Sequence, residues 1–204
     1  VALYFLKWVE RKRGSSWIDE HLEAFVNLSG TLLGVPKAMP ALMTGEMRDT
    51  VQAPAMLAYL LERFFSAQER AELFRSWAGS ASLIPKGGNA VWGDEHGAPD
   101  DLANATKTHG IMMEYAERHS HGNETRPSRK LSVDEVYPWL RMHSDKHFQK
   151  MLHSNYSFGI ERDPAQIQAN NADPTKWTNP LEVALPYAPN MKIYCVYGWN
   201  QPCL

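Results

Sequence analysis

The stretch LEAFVNLSGTLLGVPKAMPALMTGEMRDT, Leu22–Thr50, decides how the chain is read. It opens on Ala24-Phe25-Val26-Asn27-Leu28, a short apolar run of the kind that fills a buried parallel strand. Ser29-Gly30 ends the run, and Gly34, Pro36 and Pro40 then interrupt any regular element. In open α/β sheets, ligands bind beyond the carboxyl ends of the strands, where such glycine-bearing loops lie. The side chains of this loop (Thr31, Leu32, Leu33, Val35, Met39, Leu42 and Met43) are mainly apolar without being strand-like. They read as a greasy wall beside a site, the alternative being a buried connection packed on the sheet.

On the amino-terminal side, Val1–Lys12 has an apolar body and a basic end, Arg11-Lys12-Arg13, which suits a helix C-terminus; Gly14 then stops the helix. The chain begins inside what reads as a helix, so a further segment is expected ahead of Val1. On the other side, Pro54–Phe65 reads as a helix with Leu57, Leu60, Leu61, Phe64 and Phe65 on one face. Ser66-Ala-Gln-Glu69 has capping-box spacing and opens another helix, ending near Gly79. Leu83–Gly88 reads as a turn, followed by an extended aromatic edge at Val91-Trp92-Gly93. Asp94–Lys130 is polar and irregular, a surface insertion. A second capping box, Ser132-Val-Asp-Glu135, opens a helix expected to run to about Leu152 despite Pro138 near its start. Ser154–Pro189 is loop-rich, and Met191–Gly198 is the second strand candidate. The expected order is one α/β domain with a cap: core helix and strand over 1–35, a mainly helical region over 36–152, a loop-rich return over 153–190 and a core strand over 191–198.

Composition narrows the class. The 204 residues suffice for one sizeable core, and 44% hydrophobic residues exclude a disordered or fibrous chain. A net charge of −2 gives no basic field to recommend nucleic acid. The longest wholly apolar run, Val1–Leu6, is too short to span a bilayer. Two cysteines, Cys195 and Cys203, exclude a disulfide scaffold and a cysteine-based zinc site. Four Asn-x-Ser/Thr sequons, at Asn27, Asn104, Asn123 and Asn155, favour the secretory pathway. Asn27 falls on the expected buried strand, leaving Asn104, Asn123 and Asn155 as the glycosylation candidates.

Chemistry is scarce in the residues themselves. No Gly-x-Ser-x-Gly elbow surrounds Ser29 or Ser80. His143 and His147 lie one helical turn apart, but no third metal ligand is evident, and a solvated helix face is the plainer reading. Asp94, Glu95 and His96 form an acid–imidazole cluster on a polar loop, and Lys86-Gly87-Gly88 lacks the rest of a phosphate loop. No catalytic residue, metal ligand or cofactor is assigned within the chain.

Seven blocks carry a resemblance. They are YFLKWVE (Tyr4–Glu10), GTLLGVPKAMPAL (Gly30–Leu42), TGEMRDT (Thr44–Thr50), LIPKGGNAVWGD (Leu83–Asp94), YSFG (Tyr156–Gly159), WTNPLEVALPYAP (Trp177–Pro189) and MKIYCVYG (Met191–Gly198). In this order they resemble the phospholipid:diacylglycerol acyltransferases of fungi, a branch of the lecithin:cholesterol acyltransferase family. The resemblance implies an internal part of an α/β-hydrolase fold with a helical lid. It further implies a Ser-Asp-His triad that moves an acyl group from the sn-2 position of a phospholipid to diacylglycerol. The family's serine sits in a His-Ser-Met-Gly turn immediately before the segment matching Val1, and its acid and histidine follow the strand matching Met191–Gly198. On this reading Thr31, Leu32, Leu33 and Met39 form a substrate-binding wall, and Cys195 is unpaired because its family partner lies downstream. The pattern departs from the family at Cys203. The full-length protein is expected at a membrane surface on the lumenal face of the endoplasmic reticulum. A phospholipase A using water as acceptor, or a non-catalytic lipid-binding fragment, are the alternatives.

Overall fold

The two apolar runs meet in one sheet. In the computed structural model, which describes residues 1–45, 55–115 and 128–198, β1 (Ala24–Leu28) pairs in parallel with β4 (Lys192–Val196). The register runs from Ala24 opposite Lys192 to Leu28 opposite Val196. The ladder is extended at each end by Lys192 N–H donating to Glu23 O (2.9 Å) and Ser29 N–H donating to Val196 O (2.7 Å). Parallel pairing requires a crossover, and here the whole intervening chain supplies it.

Ahead of β1, α1 (Ala2–Arg13) and α2 (Ser15–His21) hinge at Gly14, whose φ of +87° suits glycine. Leu6, Val9 and Ile18 pack with Met191 and Phe25 into a small core under the sheet. A larger core lies in the helical region. It joins α3 (Ala38–Thr44), α6 (Ala78–Ala81) and β3 (Arg129–Leu131) to α8 (Val133–Met142) and α9 (Lys146–Asn155), through Met39, Leu42, Ile84, Leu140, Phe148 and Leu152 among others. Between them run α4 (Ala55–Phe64), α5 (Ala67–Ser76), α7 (Gly88–Trp92) and β2 (Met113–Tyr115), which pairs antiparallel with β3. The return stretch holds α10 (Pro164–Asn170), capped by Asp163. No described helix is long and apolar enough to cross a membrane.

Several expectations need correction. The strands form as expected, but they are not buried: Val26 is 53% exposed, Leu28 70% and Val196 55%, because each strand has one neighbour and little covers the outer face. Val91-Trp92 is helical, not extended. Trp92 Nε1–H donates to Lys86 O (2.8 Å), folding the segment back on its own turn. The single helix expected over 133–152 is two, because Asp145 caps a new start by accepting from Phe148 N–H (2.9 Å). The insertion after Asp94 carries β2 and β3 at its ends, and Ser154–Pro189 includes a helix. Both expected capping boxes form, and in each the glutamate carboxylate, Glu69 or Glu135, accepts from the backbone N–H and the hydroxyl of its serine, Ser66 or Ser132. Thr44–Thr50 beyond Gly45, the 116–127 stretch with Asn123, and Trp199–Leu204 with Cys203 lie outside the described residues, as do the side chains of Leu57, Leu60 and Leu61.

Candidate functional site

The chain turns sharply at the carboxyl end of β1. Ser29 adopts a left-handed φ of +49°, and Asn27 Oδ1 accepts from Gly30 N–H (2.9 Å), closing the turn. An asparagine on an otherwise apolar strand is explained by this bond. The loop then docks on the Leu83–Lys86 turn: Val35 N–H donates to Leu83 O and Lys86 N–H to Leu33 O, both at 2.8 Å. Gly34 sits between them at φ +99°, so close to Ile84 that a Cβ would lie 2.6 Å from its carbonyl oxygen.

This docking forms a trough of about 470 Å³. Its walls come from the head of α1 (Val1, Leu3), the end of β1 with Thr31 and Leu32, and Ser82 and Leu83 opposite. A second hollow of about 380 Å³ adjoins it across Val1, Gly79, Ser82 and Thr178, and runs along Tyr4, Phe5 and Trp8 of α1. Both lie in the size range of small-ligand clefts, roughly 300–1,000 Å³. No charged side chain lines either one. Such a surface suits methylenes, worth about 0.8 kcal/mol per buried CH₂.

The four residues read as a wall separate into two groups. Thr31 and Leu32 line the trough and are exposed to it. Leu33 is half-buried and contributes its carbonyl to the docking bond. Met39 is fully buried in the helical core and does not reach the trough, because α3 turns it inward beside Ile84 and Tyr156. Asn104 is exposed on its loop. Asn155 is half-buried at the end of α9, with Nδ2–H donating to Met151 O (3.3 Å), and Ser157 of its sequon is 7% exposed; a glycan has little room there. His143 stacks on Trp139 with Nδ1 at 2.7 Å from Trp139 O, and His147 is exposed on α9. Glu95 and His96 pair at 3.6 Å in solvent. Cys195 is exposed and free.

Two features escaped the sequence. Asp100, Asp101 and His109 bring ligand atoms together, but the Asp101 carboxylate is already engaged. It accepts from His109 N–H and Ala98 N–H (both 2.8 Å) and lies 2.9 Å from His109 Nδ1. These bonds, led by that from His109 N–H, hold its pKa down to about 2, the mark of a loop staple. The second is Lys86, which is wholly buried behind the trough. Nζ–H donates to Ser82 O (2.5 Å) and Ile84 O (3.3 Å), and the ammonium lies 5.7 Å from the centre of the Tyr156 ring. Among the described residues it has no carboxylate partner, and burial pushes its pKa down to about 8. A lysine before two glycines reads as a turn, and only the fold reveals its burial.

The lecithin:cholesterol acyltransferase family profile matches residues 1–203. The chain belongs to that family. It is 42% identical over 99% of its length to the phospholipid:diacylglycerol acyltransferase of Schizosaccharomyces pombe, and 38% identical over 99% to that of Saccharomyces cerevisiae. A phospholipid:diacylglycerol acyltransferase 1 of Arabidopsis thaliana is 26% identical over 98%. The chain covers 32%, 31% and 40% of these relatives, so it spans about a third of the fungal proteins it matches. No solved structure matches it.

Proposed function

We propose that this family member forms the central part of a phospholipid:diacylglycerol acyltransferase, within an α/β-hydrolase fold whose lid is the helical region 36–152. The observation that carries the reading is the trough of uncharged side chains at the head of α1 and the carboxyl end of β1, to which Gly30, Thr31 and Leu32 of the Gly30–Leu42 block contribute. The resemblance implies a serine directly ahead of Val1, and Val1 lines the trough, so the nucleophile belongs at its mouth. In the reaction the serine oxygen attacks the sn-2 ester carbonyl of a phospholipid. The lysophospholipid alcohol leaves with the proton that the histidine took from the serine, and the acyl-serine remains. The hydroxyl of diacylglycerol then gives its proton to the histidine and attacks the acyl-serine, and triacylglycerol is released as the serine oxygen leaves and takes that proton back. Thr31 and Leu32 hold the acyl chain and help to keep out water, which would otherwise divert the intermediate to a free fatty acid. The protein acts at a membrane surface on the lumenal side of the endoplasmic reticulum, with Asn104 the best exposed sequon asparagine among the described residues.

The test is Leu32→Asp in the protein extended through the triad. A carboxylate in the trough is expected to lower triacylglycerol formation by roughly tenfold or more, with the fold retained. Unchanged transfer would remove the trough from the substrate path. Free fatty acid in place of triacylglycerol from the unsubstituted protein would assign the phospholipase A reaction instead.

A further inference from the structure

A lysine ammonium without a carboxylate is costly to bury, and Lys86 is retained where every polar atom is used. Its N–H ties the loop after β1, its carbonyl receives Trp92 Nε1–H, and its ammonium holds the carbonyls of Ser82 and Ile84. Ser82 lines both hollows, so the charge stands one peptide behind the trough wall. The wall carries no charged side chain to compensate it.

We propose that Lys86 is a positioning charge that makes the head of the trough selective for an anionic oxygen at the carboxyl end of an acyl chain. This rests on reading the trough as the acyl site. Through a low-dielectric wall, one fixed charge acts over several ångströms with little screening. It favours the oxyanion that develops on the ester carbonyl when a nucleophile attacks at the mouth. The titratable or charged groups that act on Tyr156 are Tyr137 and Asp134 from α8 and Glu182 from the return stretch, whereas Lys86 itself is shifted by burial. Tyr156 itself donates to Pro85 O (2.6 Å), and burial raises its pKa, so it stays neutral around Lys86.

The experiment measures displacement of a fluorescent acyl probe from the protein continued in frame through the family's His-Ser-Met-Gly turn ahead of Val1 and its acid and histidine after Gly198. Competitors are dodecanoate and dodecanol, at pH 7 and pH 9.5. The wild-type chain is expected to prefer the carboxylate by roughly five- to tenfold at pH 7. That preference should fall away at pH 9.5, persist at both pH values in Lys86→Arg, and vanish in Lys86→Met while dodecanol binding stays unchanged. The wild-type pH comparison stands even if Lys86→Met fails to fold. Equal binding of both competitors by the wild type at pH 7, or a preference surviving in a folded Lys86→Met, would overturn the role of Lys86 and leave the trough intact. Displacement by neither competitor would instead overturn the acyl site on which the proposal stands.

Discussion

Gly34 can carry no side chain. Its left-handed φ and the 2.6 Å approach of a would-be Cβ to Ile84 O leave no relaxed position for one. Gly34→Ala is expected to destabilise the chain by about 2 kcal/mol, read as a lower urea midpoint at unchanged slope. Lys86 and Asp101 give opposite pH signatures. The folded pKa of Lys86 falls from 10.5 to about 8, so between those values the unfolded chain binds more protons. Stability from this group therefore rises with pH across that window, and its burial penalty is fully present below about 8. Denaturation at pH 7.5 and 9.5 should show the rise in the wild type and its loss in Lys86→Met. Asp101 is depressed from 3.8 to about 2, so its contribution is present above 3.8 and is lost as pH falls through 2. Proteolysis of the 94–110 loop by an acid-active protease should accelerate over that interval. In Asp101→Asn the loop should be cut readily at pH 5 as well.

Helices were legible where their ends carry local chemistry. Ser66 and Glu69 cap each other through the backbone, so Ser66→Ala is expected to cost about 1 kcal/mol, seen as a lower thermal midpoint of the helical signal. Asp145 is an equally local cap, and it divides the stretch expected as one helix between Met142 and Lys146. The helix at Gly88–Trp92 was not legible. A glycine, an asparagine and a β-branched valine are weak helix formers, and the contacts that fold the segment come from Trp92 and from Phe158 O, which accepts from Gly87 N–H (2.8 Å). The strands were legible by their apolar runs, but burial was not, since it depends on neighbours that a run does not specify. Of the site, Thr31 and Leu32 followed from the strand-to-loop rule. Met39 was misplaced because the short helix α3 redirects it, and Lys86 stayed hidden because its partners are backbone carbonyls and an aromatic ring 70 residues away.

Among the described residues the molecule has two cores and an open sheet. Val26, Leu28, Ile193, Val196 and Tyr197 are all exposed on or beside two strands with unpaired edges. Such a surface promotes association, so residues 1–204 alone should sediment with a mass that grows with concentration. The same openness fits a chain that spans about a third of its fungal relatives. In a lumenal expression host, Asn104→Gln should remove one step of an endoglycosidase-sensitive mobility shift that Asn155→Gln leaves in place. The most direct measurement uses cells lacking their own enzyme. They express either residues 1–204 or a version continued in frame through the family's His-Ser-Met-Gly turn ahead of Val1 and its acid and histidine after Gly198, and triacylglycerol derived from labelled phospholipid is followed. The nucleophile, acid and base act as a unit, so the account predicts labelled triacylglycerol from the continued protein and none above background from residues 1–204. Triacylglycerol formed by residues 1–204 at the rate of the continued protein would contradict it.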